Sequence, residues 1–484
     1  MAGAETAARG KVRSGLPAGL IALLGLCLAL FGFLAFSRAP FNDGDTSWHL
    51  AAGALILDSG AVPQADPFSF TFAGAPWTAH EWLAEVLMAG ALSLGGWAGL
   101  ALLNAAAVIA LFLIVGLELR RRLAMPQMVA ALILLFIVLT PSILARPHVL
   151  AWPLLAGWLV VLLRARDAGR APGLAAALIM LVWANLHGSF VFGLVLLAWF
   201  GLEALVRTAD RRRALIGWAL FASASLLAAI ATPHGLEGLL FPIQVSGMES
   251  LPLIREWRPV SFSEDLLFLA VLAGTLLVLV VRRVRVRPLR LVLLLLLVWL
   301  ALQHVRHQSV LAIVAVLVLA EPFARSGEGE EGEGRRPRPA PPWLLVLFAA
   351  GLAAIAAGRL AAPLERASSA SNPLEAIAAV PAELRRRPVL NSYGFGGPLI
   401  LAGIRPYIDG RADMYGDAFL VEHQAIVNGD LAAFRRAVAR WDIGWTMLEP
   451  GAPLVVRLDG ERGWRRIHAD PWAVIHVRGA VAAE

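Results

Sequence analysis

The sequence predicts an α-helical polytopic membrane protein of about eleven transmembrane helices, carrying a small α/β domain at its C-terminus. Three observations predict it. Apolar residues make up 58% of the 484-residue chain and charged residues only 16%, whereas a soluble globular domain is nearer one quarter charged. Apolar runs recur along most of the chain at lengths that approach the ~20 residues needed to cross a bilayer. Arginines gather in every second connection between those runs, as cytoplasmic loops require. The net charge of +7 is therefore an orientation signal and not a nucleic-acid footprint.

The elements follow in order. A first span is expected over 16–36. Lys11 and Arg13 before it give it the look of a signal peptide, but the run is long enough to cross and Ser37-Arg38-Ala39-Pro40 is a poor cleavage site, so it reads as retained. Further apolar segments fall near 97–118, 127–144, 149–163, 173–186 and 189–206, then near 214–231, 266–281, 290–303, 309–323 and 343–361. Arg120 to Arg122 follow the second span; Arg164, Arg166 and Arg170 follow the fourth. Arg207 and Arg211 to Arg213 follow the sixth, Arg282, Arg283, Arg285 and Arg287 the eighth, and Arg325, Arg335, Arg336 and Arg338 the tenth. This alternation puts the N-terminus in the cytoplasm and the C-terminal domain outside, in a plasma membrane.

Residues 1–362 thus form the multi-span part, with long outer loops at 37–96 and 232–265, and 363–484 form the extracytoplasmic domain. In the first loop, 46–58 and 79–94 suit helices lying on the membrane surface. The stretch Ser326 to Pro342 is charged, Pro-rich and of low complexity, and reads as a disordered tether. Beyond 365, short strand-like runs are expected at Val389-Leu390, Pro398 to Leu401, Tyr407-Ile408, Trp445 to Leu448 and Ala473 to Val477. Helix-like stretches near 416–427 and 431–440 alternate with them.

The unusual polar residues all map to one side. His49, His80, His148, His187, His234, His304 and His307 fall in outer connections or at outer ends of spans, as do Asp43, Asp45, Asp66, Glu81, Arg146, Glu237, Glu256, Arg258 and Arg306. Ionisable groups at membrane depth cost several kcal/mol unless they face a cavity or a partner. Clustering them at one face implies a polar cavity there.

Within it, Asp43-Gly44-Asp45 follows directly on the first span. One carboxylate could serve as general base while the other tunes its pKa; equally, Asp45 could cap a helix starting at Thr46. His80-Glu81 between Trp77 and Trp82 is an interfacial anchor or a substrate contact. Arg146-Pro147-His148, Asn185-Leu186-His187-Gly188, Glu256-Trp257-Arg258 and His304-Val305-Arg306 are compact polar breaks. Their arginines suit a phosphate bound bidentately, and their histidines suit one when protonated. In the C-terminal domain Tyr393, Tyr407 and Tyr415 surround Asp409-Gly410-Arg411, a substrate contact or a structural ion pair.

Other chemistries fit less well. No His-Glu-x-x-His zinc pattern is present, Gly394-Phe395-Gly396-Gly397 is neither a dinucleotide nor a P-loop fingerprint, and there is no Gly-x-Ser-x-Gly elbow. The single Cys27 permits no internal disulfide. A divalent cation on Asp43, Asp45 and another acid is possible chemistry that the pattern does not specifically indicate.

The chain resembles bacterial membrane glycosyltransferases of the GT-C class, and within them proteins related to the lipopolysaccharide-core-type and mannosyltransferase-related enzymes. Asp45-Thr46-Ser47-Trp48-His49 with Gly53, Asp66-Pro67-Phe68-Ser69-Phe70, Glu81-Trp82, Arg146-Pro147-His148, Trp183 to Gly188, Glu256-Trp257 and Asp409-Gly410-Arg411 carry the resemblance. Tyr393 to Gly397 with Asp409 is also faintly similar to the Trp-Trp-Asp-Tyr-Gly region of oligosaccharyltransferases, without its tryptophans and aspartate. The resemblance implies a GT-C-like fold in a bacterial inner membrane and a sugar donor carried on a polyprenyl phosphate. It implies an acceptor in the cell envelope (glycan, lipid or protein) and no soluble cofactor. The catalytic carboxylate would be Asp45, with Asp43 as alternative, and Arg146, Arg258 or Arg306 would neutralise the departing phosphate. Two other readings compete: a transporter or flippase of a lipid-linked or anionic substrate, which predicts broken helices at the midplane, and a non-catalytic membrane scaffold. Convergence of Asp45, Arg146, His187 and Glu256 on one pocket discriminates the enzyme from the scaffold.

Overall fold

The computed structural model describes residues 18–326, 341–362 and 364–479. Lys11, Arg13 and all but the ends of the expected tether lie outside the described residues. Every apolar segment read from the sequence falls on a helix: α1 (Ala18–Phe36), then, after the loop helix α2 (Asp45–Ser59), α3 (Trp82–Leu119), α4 (Met125–Leu139), α5 (Pro147–Asp167), α6 (Ala177–Leu186), α7 (Phe190–Arg207) and α8 (Arg211–Ile230). A short α9 (Gly235–Ser246) opens the second long loop, and α10 (Leu266–Val281), α11 (Pro288–Gln303), α12 (Gln308–Ser326) and α13 (Pro342–Ala361) complete the series. Among the described residues eight helices are long and apolar enough to cross a membrane, and three shorter apolar ones accompany them.

The packing explains the composition. One continuous core runs through the bundle from Leu23 and Phe112 to Trp158, Trp183, Phe221 and Val314. On the outside, Leu227, Val280, Leu295 and Val346 remain exposed. Large apolar side chains on both the inner and outer surfaces of a bundle belong to helices bathed in lipid.

The helix expected over 79–94 begins at Trp82 and is set off from the following span by a break at Gly95-Gly96, so α3 is two helical stretches joined at a kink. Gly96 has φ 57°, a left-handed conformation that a side chain disfavours. α2 packs along α3 so closely that a Cβ on Gly53 would strike the Glu85 carbonyl and the Ala89 side chain.

The C-terminal part comprises α14 (Leu374–Ala378), α15 (Ala382–Arg385), β1 (Val389–Asn391), α16 (Gly396–Leu401), α17 (Ala412–Val427) and α18 (Leu431–Trp441), then β2 (Trp445–Leu448), α19 (Pro453–Asp459), β3 (Trp464–Ala469) and β4 (Val474–Arg478). Its sheet has the order β1-β2-β4-β3, with β1 parallel to β2 and the other pairs antiparallel. Three expected strands are present. Pro398 to Leu401 is instead helical, and Tyr407-Ile408 is an irregular segment, where the Asn391 side chain accepts from the Tyr407 N–H and donates to the Ile408 carbonyl. Strand β3 places Arg465, Arg466 and His468 among its six residues and buries none of them fully, so it carried no apolar signal.

This part is docked onto the first loop. A Cβ on Gly44 would meet the Gly394 carbonyl, one on Gly397 the Gly44 carbonyl, and one on Gly410 the Asp45 carboxylate. The glycine-rich stretch at 394–397 therefore serves close backbone approach to the Asp43–Asp45 turn.

Candidate active site

The site is assembled where α2, α3 and α5 begin, α6 ends and α12 begins. The Asp43 carboxylate accepts from the Thr46 N–H (2.9 Å) and hydroxyl (3.0 Å). That is the N-cap bond expected of Asp45, made by Asp43 instead. Asp45 is thereby free. Its carboxylate lies 3.1 Å from Arg146 Nη2. Arg146, extended just before Pro147 at the start of α5, also grips Asp43 and Glu256. One guanidinium thus serves three carboxylates.

A second cluster adjoins it. Glu81 Oε1 lies 3.3 Å from His187 Nε2 and 3.6 Å from His80 Nε2, and Glu81 Oε2 lies 3.8 Å from His49 Nε2. The Ser189 N–H donates to His187 Nδ1 at 3.0 Å, which leaves the Nε2 proton to face Glu81. His49 Nδ1 is 3.1 Å from Glu85, a buried carboxyl one helical turn beyond Glu81. His148 bonds the Ser142 carbonyl (2.8 Å), its ring 6.2 Å from that of His187. Arg306 lies over the Trp257 ring at 4.2 Å. Among the described residues no carboxylate comes within 4.0 Å of it.

Excess negative charge in a partly dry site sets the protonation states. Burial, joined by the neighbouring Asp43 and Glu256 charges and only partly opposed by Arg146, pushes Asp45 up to about 7. Asp43 moves the other way: burial alone would raise it, but Arg146 and the Thr46 bonds hold it below the usual carboxylate range. Burial pushes Glu81 up to about 8, against the pull of Arg306. The histidines are driven neutral by burial, His80 to about 4 and His49 and His187 well below the ordinary imidazole value. The expected protonated-His contacts to phosphate therefore find no support at these three positions.

The remaining expected site residues are placed elsewhere. Arg258 pairs with Asp265 (2.7 Å) and Glu264 (3.0 Å), so its charge is already matched. His304 Nδ1 bonds the Trp257 carbonyl at 2.7 Å and holds the loop in place. Asp409 and Arg411 form a buried lock: Arg411 bonds Asp409 at 2.6 and 2.8 Å and Asp66 at 2.7 Å, while the Tyr415 hydroxyl donates to Asp409 at 2.7 Å. They join the first loop to the C-terminal part and support Asp45 through Gly410.

Two nearby residues, Glu85 and Asp413, escaped the sequence reading. Glu85 repeats Glu81 at helical spacing, which is a readable signal, and Asp413 is pushed up to about 6 by burial. Tyr393, singled out in the sequence, lies beside them, its hydroxyl raised well above its usual value by burial and by the Asp45 charge. Among the described residues no group of three His, Cys, Asp or Glu side chains is arranged to hold a metal ion; Asp43 and Asp45 face a guanidinium.

With this geometry in view, three solved structures of an oligosaccharyltransferase from Archaeoglobus fulgidus are similar to the chain. The apo form superposes with a TM-score of 0.56 at 12% identity, over 88% of this chain and 69% of that one. The complex of that enzyme, AglB, with an inhibitory peptide and a dolichol-phosphate gives 0.50 at 14% identity, over 89% and 69%. The complex with Zn and sulfate gives 0.50 at 14%, over 88% and 68%. The fold is GT-C-like. No protein-family model and no curated sequence matches the chain. The similarity thus lies in architecture, and at this identity it extends to the fold alone.

Proposed function

We propose that this chain is a membrane glycosyltransferase that moves a sugar from a polyprenyl-phosphate donor to an acceptor hydroxyl outside the cytoplasm, with Asp45 as general base. The observation that carries the proposal is the convergence of Asp43, Asp45, Arg146 and Glu256, beside Glu81 and His187, at one end of a GT-C-like bundle. Scattered residues would have favoured a scaffold. A dolichol-phosphate in one of the archaeal complexes is consistent in kind with a polyprenyl-phosphate donor here.

Asp45 suits the base because its pKa of about 7 matches a proton acceptor working near neutrality. The acceptor oxygen attacks the anomeric carbon as Asp45 takes its proton. The bond from that carbon to the phosphate oxygen breaks, the configuration inverts, and the lipid phosphate leaves with the electron pair. Arg146 is occupied by three carboxylates and Arg258 by two, so the charge on the leaving phosphate falls to Arg306, which among the described residues has no carboxylate within 4.0 Å. Asp43 positions Arg146 and caps α2. The positive-inside pattern orients the site outward, with the chain in a bacterial plasma membrane.

The test is Asp45→Asn in cells. Removing a general base costs roughly 10²- to 10⁴-fold, so a lipid-linked sugar should accumulate and a surface glycan should disappear. Unchanged glycans with a normally expressed variant would sink the proposal.

A further inference from the structure

The opposite end of the bundle carries a second charged assembly that the proposed reaction does not use. The last turns of α3, α5, α7 and α12 and the start of α11 meet there around a cavity of about 360 Å³. Five arginines line it: Arg122, Arg166, Arg207, Arg287 and Arg325. Asp167 and Glu321 are the acids in the wall, and Glu118 and Glu203 reach Arg122 (3.2 Å) and Arg207 (3.5 Å) from behind it. With Arg290, which shares Glu203 and Glu321, six guanidiniums meet four carboxylates, a formal excess of two positive charges (six minus four). The wall holds no aromatic or aliphatic side chain, which argues against a nucleobase or an apolar guest.

The two acids in the wall are already shared. Glu321 lies 2.7 Å from Arg325, 3.2 Å from Arg166 and 3.0 Å from Arg290 behind the wall, and Asp167 holds Arg122 (2.8 Å) and Arg166 (2.9 Å). Two buried nitrogens of the lining arginines, Arg166 Nε and Arg287 Nη1, have no hydrogen-bond acceptor. Their approach to Glu203 Oε1 is 3.8 and 3.6 Å, beyond hydrogen-bonding range. Arg166 is almost wholly buried, its side chain 4% exposed. An ordinary positive-inside collar consists of solvated arginines at loop ends; here Arg166 is buried and Arg122 and Arg287 are half-buried, Arg207 and Arg325 stand at the exposed rim, and the five line one shared space.

We infer that this cavity binds an anionic phosphate group at the membrane boundary. Guanidinium forks match phosphate oxygens bidentately, and a bound phosphate would offset the surplus charge. The group could belong to the headgroup of an anionic lipid or to a soluble phosphate such as pyrophosphate.

The experiment measures the unfolding temperature of the full chain in phosphatidylcholine nanodiscs, with pyrophosphate added at constant ionic strength or with phosphatidylglycerol incorporated. A rise with both identifies phosphate chemistry; a rise with phosphatidylglycerol alone makes the ligand a lipid headgroup, and one with pyrophosphate alone a soluble anion. Arg287→Gln should weaken binding roughly tenfold, the loss of one charged contact. Asp167→Asn, which takes one carboxylate from both Arg122 and Arg166, should tighten it. Opposite responses are what a merely structural collar would not give. No rise with either anion, or equal responses in wild type, Arg287→Gln and Asp167→Asn, overturns the inference; if Arg287→Gln fails to fold, Asp167→Asn decides it alone.

Discussion

Two aspartate–arginine constellations lie side by side in this protein and behave differently. In Asp409-Gly410-Arg411 the guanidinium meets two carboxylates, Asp409 and Asp66, and the partners are 0–1% exposed. In Asp43-Gly44-Asp45 the guanidinium of Arg146 meets three carboxylates, and Asp45 and Glu256 remain 21% and 35% exposed. The first is saturated and dry. The second has more negative charge than its cation can satisfy, so one member, Asp45, is pushed toward neutral pH and stays partly exposed. A matched set staples; an overfilled one can exchange protons.

Substitutions should separate the two. Arg411→Ala strands Asp409 and Asp66 as buried charges and should cost about 3–5 kcal/mol, read as a large drop in the unfolding temperature of the detergent-solubilised protein. Asp43→Ala removes the cap on α2 along with one grip on Arg146. It should cost about 2 kcal/mol by the same measurement. Asp45→Asn, which caps nothing, should stay within about 0.5 kcal/mol of wild type while abolishing transfer. A stability loss at position 45 comparable to that at 411 would erase the distinction. Glu81→Gln should have the smallest effect. With its pKa raised to about 8, Glu81 is largely neutral at pH 7, and an amide preserves that state; turnover should fall by no more than about threefold, measured at pH 7 with saturating donor.

The sequence made the helices legible because a lipid-facing helix must be apolar along its length and each apolar run advertises itself. It made the site legible in outline because buried charge is costly and cannot be scattered at random through spans. What it hid follows from geometry. Pro398 to Leu401 is apolar on every side because it lies between the sheet and α2, and such a run fits strand or helix equally. Arg258 carried the same signal as Arg306, and only the position of Asp265 tells the spent arginine from the available one. Asp409 and Arg411 were marked by their density of polar residues, but their partner Asp66 is more than 300 positions away. Cap and base at Asp43 and Asp45 are interchangeable by spacing; the Thr46 bonds assign the cap to Asp43, which is why we propose Asp45 as the base.

The central claim is that Asp45 accepts the proton, and the pH dependence of sugar transfer by the purified protein measures it most directly. A base must be ionised to act. With the Asp45 pKa raised to about 7, the rate should climb about tenfold per pH unit up to that value and level off above it. A flat profile between pH 5 and 8, or an acid limb that persists unchanged in the residual activity of Asp45→Asn, would contradict the account.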